Sequence, residues 1–141
     1  MEVKPFDKKL VAVLNEKIEV GRVMNALAHM AVGLGGTVGE KEELRLQDYH
    51  DASGTIHPSI SDIPFIVLKA NSSAIRALRV AAQEQGIEHT DFINTMIGET
   101  YVQQHENTSK TSEADLEYWG ICLFGDWTSV SALTKKFSLW R

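Results

Sequence analysis

Hydrophobic residues fall along this chain in blocks of two different periods. Lys9 to Leu14, KLVAVL, is an unbroken apolar run with β-branched residues, ended by Asn15–Glu16. It predicts a strand buried on both faces. From Val20 to Leu34, VGRVMNALAHMAVGL, the period changes. Val20, Val23, Met24, Leu27, Ala31 and Leu34 recur at helical spacing, which predicts a helix with that stripe buried. Gly35–Gly36 supply its stop, because glycine tolerates the left-handed conformation found after helix ends. A strand leading straight into a helix is the first half of a βαβ unit.

The stretch from Thr37 to Asp62 is mostly polar. Leu44 to Tyr49 alternates as a short edge strand would, and Asp51–Ala52–Ser53–Gly54 carries turn chemistry. Pro58 and Pro64 punctuate the residues up to the next apolar run. That run, Phe65 to Leu68, predicts a second buried strand. Asn71, Ser72 and Ser73 offer capping oxygens for a helix to about Gln85, closed by Gly86, with Ile75, Leu78 and Ala82 on its buried side.

The second half is less periodic. Thr90 to Tyr101 reads as a strand, with or without a bend at Gly98, and residues 103–115 as a polar loop holding at most one helical turn at Thr111 to Ala114. Leu116 to Phe124, LEYWGICLF, is a third strong strand. Asp126 caps a last helix that carries Val130, Leu133 and Phe137 on one side and Lys135 and Lys136 in its last turn. The final Leu139–Trp140 pair predicts an end docked on the body. Alternating elements require helices on both faces of a sheet. The chain is therefore expected to fold as a three-layer α/β/α sandwich, one domain over residues 1–141, with a mixed sheet of about four or five strands. Right-handed crossover makes the first and second strong strands parallel neighbours or near neighbours.

Composition narrows the classes. With 141 residues, 43% hydrophobic and 23% charged, the chain can bury one substantial core. Fourteen basic against nineteen acidic residues give a net charge of -5, which disfavours a broad nucleic-acid binder while leaving room for a local basic patch. One cysteine excludes a disulfide scaffold and a multi-cysteine zinc site, and suits a reducing compartment. No apolar run reaches the ~20 residues that span a bilayer. Residues 1–9, charged and broken by Pro5, lack a signal-peptide pattern, so a cytoplasmic protein is expected.

Arg22, Asn25 and His29 share one polar stripe of the first helix. A guanidinium, an amide and an imidazole in a row suit an anionic or carbonyl group, with His29 moving a proton near neutral pH. The plainer reading is a wet helix face. Asp48, His50, Asp51 and His57 carry metal-ligand chemistry but match no ligand spacing, and Asp51 before Ser53–Gly54 is equally an Asx-turn residue. No metal is assigned there; Asp51 and His57 are placed instead on a loop closing a cleft. Cys122, mid-strand, lacks a base and reads as a small hydrophobe. Gly33, Gly35 and Gly36 follow a helix rather than a strand and so fail as a phosphate loop. Trp119, Trp127 and Trp140 do not interleave with basic residues; they read as core or dimer-interface anchors.

The segments KLVAVLN, GRVMNALAHMAVGLG, DASGTIHP, PFIVLKA and VSALTKKFSLWR together resemble the Domain of Unknown Function 2000 family, over about Lys8 to Arg141. The resemblance implies a fold similar to type II peptidyl-tRNA hydrolases, often dimeric. Those enzymes carry a first-helix pattern like G-K-V-A-A-Q-x-x-H-A. Gly21–Arg22–Val23 matches its start, with Arg22 in the place of the catalytic lysine, and His29 matches its histidine, while Ala26 replaces the glutamine. The second signature, D-A-G-R-T, corresponds to Met96–Ile97–Gly98–Glu99–Thr100, where only Gly and Thr survive. Losing the acid and the guanidinium together argues against the same chemistry.

The leading expectation is a small cytosolic ligand-binding or enzymatic domain with its cleft at the first helix: Arg22 holding an anionic group, Asn25 orienting it, His29 as the catalytic residue, Asp51 and His57 closing the cleft. The alternatives are a divergent peptidyl-tRNA hydrolase and a non-enzymatic dimeric interaction protein joined through apolar surface that includes Trp140. The partners expected are an unidentified small-molecule ligand and a second copy of the chain; no motif calls for a cofactor.

Overall fold

The protein is described here by a computed structural model covering residues 6–98 and 100–141. The apolar run at the start forms β1 (Lys8–Asn15), buried from Leu10 to Asn15, at the centre of a five-stranded mixed sheet. On one side it pairs in parallel with β4 (Phe65–Ala70), as the crossover rule requires. On the other it pairs antiparallel with β6 (Tyr118–Asp126). β5 (Glu88–Ile93) forms one edge, against β6, and the two-residue β7 (Ser138–Leu139) the other, against β4.

Side chains alternate across this sheet. Leu10, Ala12 and Leu14 join α1 (Val20–Thr37) in one core layer, while Val11 and Val13 join α2 (Ser72–Glu84) and α4 (Trp127–Thr134) in the other. The β1–α1 and β4–α2 pattern, the Asn71 and Asp126 caps, the Ile75–Leu78–Ala82 stripe and Gly86 at φ +67 all match the sequence. None of the helices among the described residues is long and apolar enough to cross a membrane.

Six features differ. The strand expected over Thr90–Tyr101 is β5 only as far as Ile93, and a tight turn at Asn94–Met96 follows it. α4 ends at Thr134, so Lys135 caps it and Lys136 and Phe137 lie beyond it. In α1 the buried residues are Val23, Ala26, Met30 and Leu34, while Val20 and Met24 are exposed. The buried stripe is thus rotated toward Ala26 and Met30, with the end of Met30 seated over Gly120 of β6, where a side chain would collide with it. Gly35 and Gly36 do not stop α1; it runs through them to Thr37, and the Val38 N–H closes it on Leu34 O. The segment expected as an edge strand of the main sheet begins with a tight turn at Lys41–Leu44 and a left-handed Arg45. It then forms β2 (Leu46–His50), which pairs only with β3 (Ile56–Ser61) as a separate exposed ribbon. The polar loop expected at residues 103–115 is instead α3 (Tyr101–Ser109) followed by a short turn at Glu113–Asp115. None of its residues is buried, so it leaves no apolar period to read.

The chain's end docks as expected: Leu139 pairs with Leu68, the Trp140 N–H donates to Val67 O at 2.9 Å, and the half-buried indole packs on the α1-side core.

Candidate functional site

β5 ends the sheet beside α1, and the side chains of Thr90 and Phe92 face that helix. The Thr90 hydroxyl donates to Met30 O at 2.8 Å, fastening the edge strand to α1. Phe92 is buried and lies under His29, with ring centroids 6.2 Å apart. On its far side it meets Trp119 at 5.6 Å.

Trp119 reaches that position through a β-bulge. Phe92 pairs with Gly120 but Ile93 pairs with Tyr118, which leaves Trp119 as the extra residue. Gly120 and Trp119 therefore both face α1. A side chain at Gly120 would meet Met30 Cε at 2.7 Å and Leu14 Cδ2 at 2.9 Å, so only glycine allows this approach. A bulge interrupts ladder hydrogen bonding, and here side chains replace it. The amide of Asn15, buried at the end of β1, donates to Tyr118 O at 2.9 Å, and the Tyr118 N–H donates to Ser72 Oγ at 2.9 Å. Asn94 clasps Glu117 in both directions: its N–H donates to Glu117 O and its Oδ1 accepts from the Glu117 N–H.

Above Phe92 opens a hollow of about 580 Å³. α1 supplies Asn25, His29 and Met30 to its wall, and β5 supplies Thr90 to Phe92. Met96, Ile97 and Gly98 form a second wall and Gln104 and His105, from α3, a third. Gly98 takes φ +122, a conformation that favours glycine, where the chain turns into α3. The Thr108 hydroxyl donates to Thr95 Oγ1 at 2.7 Å, holding α3 against that turn. The carboxylate of Asp91 is held by Arg79 of α2 at 2.9 Å, on the other side of the sheet. Among the described residues neither His29 nor His105 makes a side-chain hydrogen bond, so both imidazoles have ring nitrogens open to a ligand.

Of the residues singled out in the sequence, Asn25 and His29 meet in this hollow. Arg22 is exposed one turn earlier on α1, outside the lining, with no ion pair among the described residues. Asp51 and His57 lie at the turn of the β2–β3 ribbon and do not line it. They bond each other at 2.9 Å, and Asp51 Oδ1 also accepts from the N–H groups of Ser53 and Thr55. The His57 contact first, and these amides second, hold the Asp51 carboxyl below its usual range. No cluster among the described residues groups three His, Cys, Asp or Glu side chains suited to a metal. Cys122 is buried, and burial pushes its thiol up to about 12.

Thr90, Phe92, Gln104 and His105 were not visible as site residues from periodicity. One signal for α3 was present: Thr100 and Gln103 have capping-box spacing, and Thr100 Oγ1 does accept from the Gln103 N–H. Of the segment matched to the second hydrolase signature, Met96, Ile97 and Gly98 line the hollow, while Glu99 lies outside the described residues.

The fold is shared with a protein of unknown function from Agrobacterium tumefaciens, at TM-score 0.81 and 23% sequence identity over 96% of this chain and 99% of that one. No curated protein matches the chain. The family described as Protein of unknown function (DUF2000) matches residues 8–141, and the chain belongs to it.

Proposed function

We propose that this protein binds a small anionic metabolite in the hollow between α1, β5 and α3 and can exchange a proton with it. One observation carries the reading: two imidazoles without protein hydrogen-bond partners, His29 and His105, border one hollow from different helices. Small-molecule sites combine an apolar floor with a few polar groups that fix orientation. Phe92, Met96 and Ile97 offer the floor, and Asn25 and Gln104 offer amides that both donate and accept. Arg22, unpaired one turn away on α1, is the cation available to an anionic tail. His29 is the residue assigned proton transfer, with His105 opposite it. A thermal-shift screen against a metabolite collection tests this. A stabilising compound is expected to lose its effect in His29→Ala and Arg22→Ala, whose own melting points stay unchanged. An undiminished response in both variants rejects the site.

A second reading, a divergent hydrolase with a fold like type II peptidyl-tRNA hydrolases, is supported by one observation. Met96 to Gly98, the segment corresponding to the second hydrolase signature, borders the same hollow as His29. Met96 in place of the acid counts against it. Turnover of a peptidyl-tRNA that is lost in His29→Ala supports this reading; no turnover above that variant ends it.

A further inference from the structure

The terminal segment LTKKFSLWR takes no part in the hollow at His29. Its end helps to form another. Lys17 lies just after β1, Lys69 near the end of β4, and Arg141 just beyond β7, yet all three border one hollow of about 400 Å³. Trp140 forms its aromatic wall, and Glu16 and Val20 complete the lining. Among the described residues none of the three cations has an ion-pair or side-chain hydrogen-bond partner. In a chain of net charge -5, three unpaired basic side chains outnumber the one acidic side chain of the lining, Glu16, and form a local reversal of side-chain sign. Pairing of β7 with β4 and the bond from the Trp140 backbone N–H to Val67 O fix the main chain here, and the half-buried indole packs on the α1-side core.

The position fits ligand binding on topological grounds. β1 and β4 are the parallel pair of the sheet, and the hollow lies off their C-terminal ends, where open α/β sheets bind ligands. We infer that this hollow binds a small phosphomonoester carrying a flat ring, of which a nucleoside monophosphate is the simplest. The guanidinium of Arg141 presents a fork that pairs with two phosphate oxygens, while the two ammonium groups act as mobile point charges. The ring lies against Trp140, since a hollow of this size exceeds what a phosphate alone fills and matches the lower range of small-molecule sites. Sequence spacing hides this arrangement, because only Arg141 is a chain neighbour of Trp140, while Lys17 and Lys69 reach it from the ends of β1 and β4.

The site is independent of the one at His29. The two hollows share no lining residue. The test is a titration of the full chain with adenosine monophosphate, and separately with inorganic phosphate. The readout is the indole N–H signal of Trp140 in two-dimensional NMR, assigned by its loss in Trp140→Phe. Adenosine monophosphate is expected to shift that signal saturably, leaving the signal of buried Trp119 in place. Lys69→Gln and Arg141→Gln are each expected to weaken binding about tenfold, the loss that accompanies one charge-assisted hydrogen bond. His29→Ala is expected to bind as tightly as the parent. Arg141 is exposed, so its variant keeps the test valid if Lys69→Gln fails to fold. No shift at millimolar adenosine monophosphate overturns the proposal. So does an unchanged dissociation constant in Arg141→Gln, or inorganic phosphate binding as tightly as the nucleotide.

Discussion

Removing the side-chain amide of Asn15 is expected to destabilise the protein and disturb the candidate site together. Asn15 is 2% exposed, and its amide donates to the Tyr118 carbonyl at 2.9 Å, beside the bulged Trp119. Asn15→Leu keeps a side chain of similar bulk but leaves that buried carbonyl unpaired, which costs about 1–3 kcal/mol. It also removes Oδ1, the acceptor of the half-buried Lys17 N–H, but that amide can turn to water. Asn15→Ala adds lost packing, about 1 kcal/mol more. Unfolding entropy for a chain of this length is roughly 0.3 kcal/mol per degree, so the leucine variant should melt roughly 3–10 °C lower. Calorimetry reads the melting point. Fluorescence reads the site, because Trp119 is buried in the parent and its emission should shift red as the bulge loosens. An Asn15→Leu protein that melts with the parent and keeps its emission would refute the role assigned to this amide.

Gly120→Ala brings a new Cβ to 2.7 Å from Met30 Cε and 3.3 Å from the Val13 carbonyl. It should cost about 1–3 kcal/mol by denaturant unfolding, since Met30 can swing aside but the backbone cannot. Cys122, buried with its thiol pushed up to about 12, should resist a thiol reagent in the native protein at mildly alkaline pH and react on unfolding. The Asp51 carboxyl, lowered first by His57, should titrate below ordinary aspartates in NMR. Its stabilising effect is therefore present above the unfolded aspartate range and lost as pH falls through the folded value, and His57→Ala should move the titration upward.

The elements that the sequence disclosed are those whose order comes from local period and local caps. β1 and β4 are short apolar runs, and α2 has its buried stripe, its Asn71 cap and its Gly86 end all within one segment. Elements fixed by distant partners were not legible in this way. α3 buries nothing and rests on the Asn94–Met96 turn, so its only local mark is the Thr100 cap. The rotation of α1 depends on the gap left by Gly120, about ninety residues away in the chain. The site divides along the same line. Asn25 and His29 share a stripe of one helix and could be paired from their spacing, whereas Thr90, Phe92 and His105 join them only through the edge strand and α3.

Three of these distant dependences converge on His29. The rotated stripe of α1 buries Ala26 and Met30, which turns Asn25 and His29 toward the β5 edge rather than toward β4. The β5 edge has Phe92 in place to meet that ring, and the bulge in β6 puts Trp119 behind Phe92. Each step requires the one beneath it: Gly120 admits Met30, Asn15 satisfies the bulge, and the bulge supports the aromatic floor. The β2–β3 ribbon belongs to no part of this chain of support. Its residues from Leu46 to Ile60 are all exposed, and its Asp51–His57 pair bonds only within its own turn. A two-stranded ribbon of this kind has little intrinsic stability. The geometry at His29 is built from the sheet, α1, α3 and the turn that joins β5 to α3, so the hollow does not depend on the ribbon.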